Sequence, residues 1–365
     1  MTILFICGSL EPGRDGVGDY TRRLAGELIR QGQIATIIAL NDRSILDVYE
    51  GVQESEGIYI NVLRIPAVLK TKERFNLAGE FIARIDPEWL SLQFVPFSFQ
   101  KKGLPFGLGR RLAKIGKDRK WHVMFHELWV GMDVDASLKF KLWGKLQGIL
   151  IENLIKSLNN SLLTTQTELY RWQLFKLGYN SKYLPLFGNI PCISNKTDNY
   201  LTNYLKFVVF GNIYSGSSVK RFVKEITEYF IEKNIIIEFC FIGRCGAEQS
   251  VWAKELEEFG VKIKIMGEQS ENIVSETLST SDFGISTTPA LLLEKSGSVA
   301  AMLEHGLPVI CVSKDWKVRG YNARKNLLFF IWGQDDFSTL LLLKKNEPYK
   351  YNLEFIVRNL LNYMN

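Results

Sequence analysis

The chain has 365 residues, 46% of them hydrophobic and 23% charged, with a net charge of +6. That balance excludes a disordered or fibrous polypeptide, and the length exceeds what one hydrophobic core usually supports, so two domains are expected. No apolar run reaches the roughly 18 to 20 residues that a membrane span requires. The five cysteines (Cys7, Cys192, Cys240, Cys245, Cys311) are scattered and mostly embedded in apolar runs, as expected of reduced, buried thiols in a cytoplasmic protein.

The first apolar run, Ile3 to Cys7, has no basic region before it and turns polar at once, so it reads as a strand and not as a signal peptide. A glycine-rich loop follows, Gly8-Ser-Leu-Glu-Pro-Gly-Arg-Asp-Gly-Val-Gly-Asp-Tyr-Thr21, leading into a helix over Tyr20 to Arg30. Gly16 and Gly18 let backbone approach a ligand closely, and a helix start favours an anion, so Gly16 and Val17 are candidate contacts to a phosphate. A dinucleotide fingerprint fits poorly, because its third glycine position holds Thr21 and the strand-to-helix turn is too long.

Strands are then expected at Ile34 to Leu40, Ile58 to Ile65 and Trp89 to Phe94, with a helix over Arg74 to Ile85. Between Lys101 and Lys120 basic residues dominate (Lys101, Lys102, Arg110, Arg111, Lys114, Lys117, Arg119) with Leu104, Phe106, Leu108, Leu112 and Ile115 interleaved. The pattern suits peripheral contact with an anionic membrane, and equally a solvated helix whose apolar face is core. No reader motif accompanies it, so nucleic acid is not an expected partner.

The next strand, His122 to Phe125, ends at His126-Glu127. A polar residue at the carboxyl end of a parallel strand faces the ligand side of such a sheet, which makes His126 a site candidate, whereas His122 reads as structural and His305 as lying near a helix end. Asp133 and Asp135 offer spaced carboxylates but no third metal ligand, and Asp135 also suits an N-cap for a helix over Ala136 to Ser157. Strands at Leu162 to Thr165 and Tyr183 to Leu186 complete a first domain, residues 1–193.

The polar stretch Ser194 to Asn203 marks a linker, residues 194–204, and the strand-helix alternation restarts in a second domain, residues 205–345. Its strands are Lys206 to Phe210, Ile235 to Ile242, Val261 to Met266, Phe283 to Ser286 and Pro308 to Val312, and a last helix-like segment within residues 346–365 is a candidate to pack back on the first domain. Alternation throughout implies an α/β protein of two doubly wound parallel sheets, with a ligand cleft at the carboxyl ends of the strands. Lys220 or Arg221, after the loop Gly211-Asn-Ile-Tyr-Ser-Gly216, is placed to reach a diphosphate, while Gly243-Arg244 and Met266-Gly267-Glu268 lie where backbone groups read a base edge or simply turn the chain.

The most informative segment is Glu294-Lys-Ser-Gly-Ser-Val-Ala-Ala-Met-Leu-Glu-His-Gly306-Leu-Pro-Val309. An acid, a base and small residues open directly into a helix that stops at Gly306. Free amides and the helix dipole there suit a phosphate, while Glu294 suits sugar hydroxyls, although an ordinary strand-loop-helix unit capped by Ser296 or Ser298 gives the same signals.

Together these motifs resemble the retaining family 4 glycosyltransferases of the GT-B architecture. The resemblance rests on Gly16-Val-Gly-Asp-Tyr-Thr21, His126-Glu127, Asn189-Ile-Pro191, Glu294 with Gly297, and Gly306-Leu-Pro-Val309, over roughly residues 1–312. It implies an acceptor-side first domain and a second domain that holds a nucleotide-sugar, with UDP-glucose the commonest donor. His126 is then expected at the donor sugar, Glu294 at its hydroxyls, Gly16 beside the diphosphate, and Arg244, Met266, Lys295, Ser296, Gly297 and Ser298 around the nucleotide. Transfer to a saccharide or lipid-linked acceptor is expected to be metal-independent, with the growing charge on the leaving diphosphate met by basic and amide groups. The chain departs from the pattern where the family's second glutamate falls on Ala301 or Met302, for which Glu304 is the substitute, and where its loop arginine is Asn212, with Lys220 and Lys295 left to supply the charge.

Overall fold

The computed structural model describes residues 1–193, 203–216, 219–322, 329–342 and 351–365. The expected linker lies almost wholly outside the described residues. The chain divides into two compact units, the first made of residues 1–185, 317–321 and 353–365, the second of residues 186–316 and 322–352.

The first unit is built from β1 (Thr2–Cys7), α1 (Gly16–Arg30), β2 (Ile34–Asp42), β3 (Tyr49–Ser55), β4 (Ile58–Pro66), α2 (Thr71–Ile85), β5 (Trp89–Phe94), α3 (Pro96–Phe99), α4 (Leu108–Gly116), β6 (Lys120–Phe125), α5 (Leu138–Ser157), β7 (Leu162–Thr165), α6 (Glu168–Lys176) and β8 (Lys182–Tyr183). Its strands form one sheet in the order β3-β4-β2-β1-β5-β6-β7-β8, parallel except for β3. The inner strands are near-continuous apolar runs because helices cover both faces, and every residue of β5 is buried. The direction of winding reverses between β1 and β5, the point where open sheets of this kind leave a crevice at their carboxyl ends.

Strand β3 has no counterpart in the apolar pattern. Its sequence, Tyr49-Glu-Gly-Val-Gln-Glu-Ser55, alternates no hydrophobic face because it is an exposed edge, paired antiparallel to β4 through a two-residue turn. Glu56 and Gly57 both have positive φ there (50° and 79°), the backbone of a type I′ hairpin turn.

In the middle of this unit one of the two readings of the basic stretch matches the structure, and one expectation, the Asp135 N-cap, changes. Helix α4 buries Leu108 and Leu112 and turns Arg110, Arg111 and Lys114 outward, so the apolar residues of the basic stretch are largely core. Phe106 alone among the large ones stays exposed. The N-cap of α5 is Ser137 rather than Asp135, and Asp133 instead receives the Asp135 amide in a turn while its backbone bridges to Val318.

The second unit comprises β9 (Tyr204–Phe210), α7 (Val219–Ile231), β10 (Ile236–Ile242), α8 (Glu248–Glu258), β11 (Lys262–Gly267), α9 (Glu271–Ser279), β12 (Phe283–Ser286), α10 (Gly297–Glu304), β13 (Val309–Cys311) and β14 (Phe329–Ile331). A 3-10 turn, Ala290–Lys295, runs directly into α10. All its strands are parallel, in the order β11-β10-β9-β12-β13-β14, with the reversal between β9 and β12. Period-2 alternation divides its core: Phe207, Phe239 and Phe283 face the layer of α7 and α8, while Val208 and Cys240 face that of α9 and α10. Phe207 is in register with Phe239 and Phe283 on its two neighbours and stacks on both, at 5.0 and 5.3 Å between ring centres. Such a cross-strand aromatic row fixes register as well as burying area.

The last helix, α11 (Leu353–Met364), belongs to the first unit, where it packs against α1 and where Tyr363 donates to the Tyr183 carbonyl. Of the five cysteines, Cys192 is exposed and the other four are buried. Among the described residues no helix is long and apolar enough to cross a membrane.

Candidate functional site

Several of the sequence-predicted residues lie just past the carboxyl ends of strands, Gly16 after β1, His126 after β6 and Glu294 after β12. In the first unit the loop after β1 is clamped from below. Asp42, fully buried at the end of β2, accepts from Ser9 Oγ (3.0 Å), the Leu10 amide (3.2 Å), the Ser44 amide (3.0 Å) and Arg64 Nε (2.8 Å), and Arg64 also reaches Glu11 at 2.6 Å. Burial raises the Asp42 pKa, but Arg64 and the amides outweigh it and hold the carboxyl below its usual range. Gly18 is required where α1 meets this loop, since a Cβ there would stand 2.5 Å from the Ser9 carbonyl oxygen.

The start of α1, where Gly16 and Val17 are candidate phosphate contacts, already carries an acid of the chain. Asp15 is the N-cap, and its own carboxylate receives the amides of Val17 (3.0 Å) and Gly18 (2.8 Å). The first-turn donors at Val17 are therefore engaged by the chain itself. Burial pushes the Asp15 carboxyl upward despite these bonds. Gly16 has open space where a side chain would be, leaving room beside the turn.

His126 is buried at the end of β6. Its Nε2 lies 2.9 Å from Gln93 Oε1 on β5, and the Tyr20 ring meets it edge-on at 4.8 Å. His122 is fully buried between Ser91 Oγ (2.7 Å) and Thr164 Oγ1 (2.8 Å), and burial drives its pKa down to about 3, so it is a neutral structural imidazole.

In the second unit the turn at Gly211 (φ 81°) lies against the start of α10, with Ser298 Cβ 3.6 Å from where its own Cβ would be. Ser296 caps α10, accepting from the Val299 amide at 3.4 Å, and its hydroxyl lies 3.1 Å from Ser298 Oγ and 3.5 Å from Thr288 Oγ1. Thr287 Oγ1 receives the Tyr214 amide at 2.8 Å, joining the two loops. The result is a cluster of hydroxyls at a helix start, with Gly297 open beside it and the half-buried Glu294 and Lys295 just upstream. Hydroxyl donors, the positive end of a helix and a neighbouring lysine suit an oxyanion, and a carboxylate suits a polyol. Thr287 and Thr288 were not singled out from sequence, although Ser-Thr-Thr-Pro at the end of an apolar strand carried the signal.

The remaining candidates are placed differently. Lys220 directs its ammonium to Glu255 (3.8 Å) and Glu258 (3.7 Å) of α8, so its charge is answered there and not at the Gly211 turn. Arg244 pairs with Glu268 at 2.9 Å, tying the loops after β10 and β11. Met266 points its sulfur inward to Cys240 at 3.5 Å, and its carbonyl accepts from Gln269. Ala301 and Met302 are both fully buried, so neither position opens to solvent. Glu304 lies against Gly188, where an added Cβ would sit 2.9 Å from its Oε2 and 2.7 Å from Ala301 Cα. His305 caps the C-terminus of α10, held by Ala301 O and Ser275 Oγ. Among the described residues no group of three or more potential ligands could hold a metal ion.

No protein-family model matches the sequence, and no curated protein sequence matches it. Solved structures do match in fold. One is the apo form of the lipopolysaccharide outer core galactosyltransferase WaaB, 14% identical, covering 100% of this chain and 99% of that one, with a TM-score of 0.56. Another is HepE from Anabaena in complex with UDP and glucose, 14% identical over 98% and 95% of the two chains, TM-score 0.56. A third is the UDP-GlcNAc 2-epimerase of Neisseria meningitidis bound to UDP-GlcNAc, 9% identical over 100% and 99%, TM-score 0.55. The fold is the GT-B fold, two α/β units with parallel sheets, shared by these glycosyltransferases and the epimerase.

Proposed function

We propose that this chain is a retaining hexosyltransferase that uses a UDP-sugar, with UDP-glucose the first donor to test, and needs no metal. The observation that carries the reading is the hydroxyl cluster of Thr287, Thr288, Ser296 and Ser298 packed against the Gly211 turn at the start of α10, with Glu294 immediately before it. That arrangement offers a diphosphate its donors and a sugar its acceptor within one short segment. Lys295 and the α10 dipole are the groups assigned to the charge that develops on the leaving diphosphate. Likeness of fold to WaaB and to HepE with UDP and glucose supports a nucleotide-sugar donor.

The acceptor is proposed to be a saccharide or a lipid-linked saccharide of exopolysaccharide or envelope glycan synthesis, assembled on the cytoplasmic side of the membrane. Support comes from a basic and apolar surface on the first unit. At the start of α5, Leu138, Phe140 and Leu142 are 77%, 52% and 69% exposed, interleaved with exposed Lys139 and Lys141. Trp143 Nε1 donates to the Lys102 carbonyl and Gln147 Nε2 to that of Gly103, which holds this helix start beside the loop bearing Lys101, Lys102 and exposed Phe106. Cations with apolar side chains between them suit an anionic lipid surface.

The test is thermal stabilisation by UDP, GDP, ADP and their sugar conjugates, followed by release of nucleoside diphosphate from the best ligand with candidate acceptors, with and without EDTA. Stabilisation by the UDP series with release in EDTA supports the reading; no stabilisation by any nucleotide removes it. A UDP-sugar epimerase is the second reading, favoured by the fold of the Neisseria enzyme and by buried Ala301 and Met302 where an acid is expected. An isomerised sugar in acceptor-free reactions would establish it, whereas UDP binding with neither reaction would mark a non-catalytic binder.

A further inference from the structure

The interior of the first unit holds a continuous line of polar side chains where a sheet covered on both faces needs none. Starting at His126, Nε2 lies 2.9 Å from Gln93 Oε1, and Gln93 Nε2 lies 2.9 Å from Ser91 Oγ. Ser91 Oγ lies 2.7 Å from His122 Nδ1, His122 Nε2 is 2.8 Å from Thr164 Oγ1, and Thr164 Oγ1 is 3.0 Å from Met124 Sδ. His126 is 5% exposed and Gln93, Ser91, His122 and Thr164 are 0% exposed. They share one face of the sheet because Ser91 and Gln93 alternate on β5, His122, Met124 and His126 alternate along β6 and just past its end, and Ser91 is in register with His122 and Met124 with Thr164.

We infer that Gln93 is a positioning residue that fixes the tautomer of His126, as the first link of a one-directional hydrogen-bond chain running through Ser91, His122 and Thr164 to Met124. Each bond forces the next. Thr164 has a single hydroxyl proton, and giving it to the Met124 sulfur leaves its oxygen to accept from His122 Nε2–H. A neutral imidazole with its proton on Nε2 accepts at Nδ1, so Ser91 must donate there. The Ser91 oxygen then accepts from the Gln93 amide nitrogen, which turns Gln93 Oε1 toward His126 and requires the His126 proton to sit on Nε2. Burial keeps His122 neutral, as the chain demands.

The consequence at the site is that neutral His126 carries its lone pair on Nδ1, a nitrogen that accepts from a hydroxyl and cannot donate to one. Tyr20, edge-on at 79°, holds the ring plane. A buried polar network costs desolvation unless every member is satisfied, and an apolar row would stabilise this sheet as well, so orientation of His126 is what the row supplies. The effect on turnover rests on the transferase reading; the tautomer does not.

The test is nitrogen-15 NMR of the two imidazoles in the full-length protein, alongside turnover of the UDP-sugar. In the unmodified chain both His122 and His126 should show the Nε2–H form at neutral pH. Gln93→Leu should leave His122 predominantly Nε2–H, mix the His126 tautomers, and lower kcat roughly tenfold, about one hydrogen bond, with UDP affinity unchanged. Gln93→Glu reproduces both contacts only as the neutral acid, its carbonyl accepting from His126 and its hydroxyl donating to Ser91, and in that form should restore the His126 Nε2–H form and most of kcat. An Nδ1–H form at His126 in the unmodified chain, or an unchanged His126 tautomer in Gln93→Leu, overturns the inference. Expected tautomers in a protein that turns over no sugar nucleotide would remove the transferase reading alone.

Discussion

The carboxylate of Asp15 holds the amide of Gly18 at 2.8 Å, and so places the chain's own negative charge on a helix start that the glycine-rich loop otherwise offers to a ligand. Removing that cap in Asp15→Ala should cost about 1 kcal/mol of unfolding free energy. Asp15→Asn keeps an oxygen acceptor and deletes a partly buried charge whose pKa burial has raised, so its stability at neutral pH should match or exceed that of the unmodified chain. Urea unfolding of the two variants checks both outcomes.

His122 gives stability a pH dependence of defined sign. Its folded pKa is depressed to about 3 by burial, below the value of about 6.5 for an unfolded histidine. Between these values the unfolded chain binds the proton and the folded chain does not. The contribution of His122 is therefore complete above the unfolded pKa, and is lost as pH falls toward 3 at up to about 1.4 kcal/mol per pH unit. Unfolding free energies from pH 7 to 5 should show this slope, and His122→Gln should flatten it at a lower overall stability.

Two glycines should resist enlargement for reasons of space. A Cβ at Gly18 meets the Ser9 carbonyl oxygen at 2.5 Å, and one at Gly188 meets Ala301 Cα at 2.7 Å, both against backbone that cannot swing aside. Gly18→Ala and Gly188→Ala should each lower stability by roughly 1–3 kcal/mol. Gly297→Ala, with open space at the same test, should not. Thermal denaturation of the three separates them.

Glu294→Ala should reduce kcat/KM by roughly 10- to 100-fold, the loss of charge-assisted hydrogen bonds to a sugar, while UDP affinity stays within about threefold. Lys220→Ala should leave both unchanged, because its ammonium faces Glu255 and Glu258 and exposed pairs of this kind are worth little. Calorimetric titration of UDP with steady-state kinetics distinguishes the pair; a large loss of UDP affinity in Lys220→Ala would return that lysine to the diphosphate.

For the proposed membrane contact, Phe140→Glu with Leu142→Glu should abolish co-sedimentation with vesicles rich in phosphatidylglycerol at low salt while leaving the melting temperature within a few degrees, since both side chains are exposed. Retention of the double variant on such vesicles would assign the contact elsewhere or nowhere.

Much of the fold was legible because its strands are buried on both faces: the runs at Ile3, Ile34, Trp89, Lys206 and Ile236 declare themselves by hydrophobicity alone. Of the four edge strands, β8 and β11 were foreseen in the runs at Tyr183 and Val261, whereas β3 and β14 were not. Strand β3 carries one strongly apolar residue, Val52, and owes its conformation to the Glu56-Gly57 turn and to pairing with β4. At the candidate site, His126, Glu294 and the Ser296–Ser298 segment were visible as polar residues at the ends of apolar runs. The Asp15 cap on the start of α1 and the acids on α8 that face Lys220 were not legible, because both depend on how the chain folds around those residues. The row from Gln93 to Thr164 was invisible for a stronger reason, since it exists only once the register of β5, β6 and β7 is known.

The return of residues 317–321 and 353–365 to the first unit means that the chain passes from one unit to the other at four places. A second unit cannot then be exchanged for that of another protein by splicing at a single junction. A chimera that keeps this first unit intact must carry α11 and the short segment around Val318 along with it, and a simple C-terminal truncation would uncover α1. Recombining these two units with those of another protein is therefore a problem of several joints, with the tail inherited from the parent that supplies the first unit.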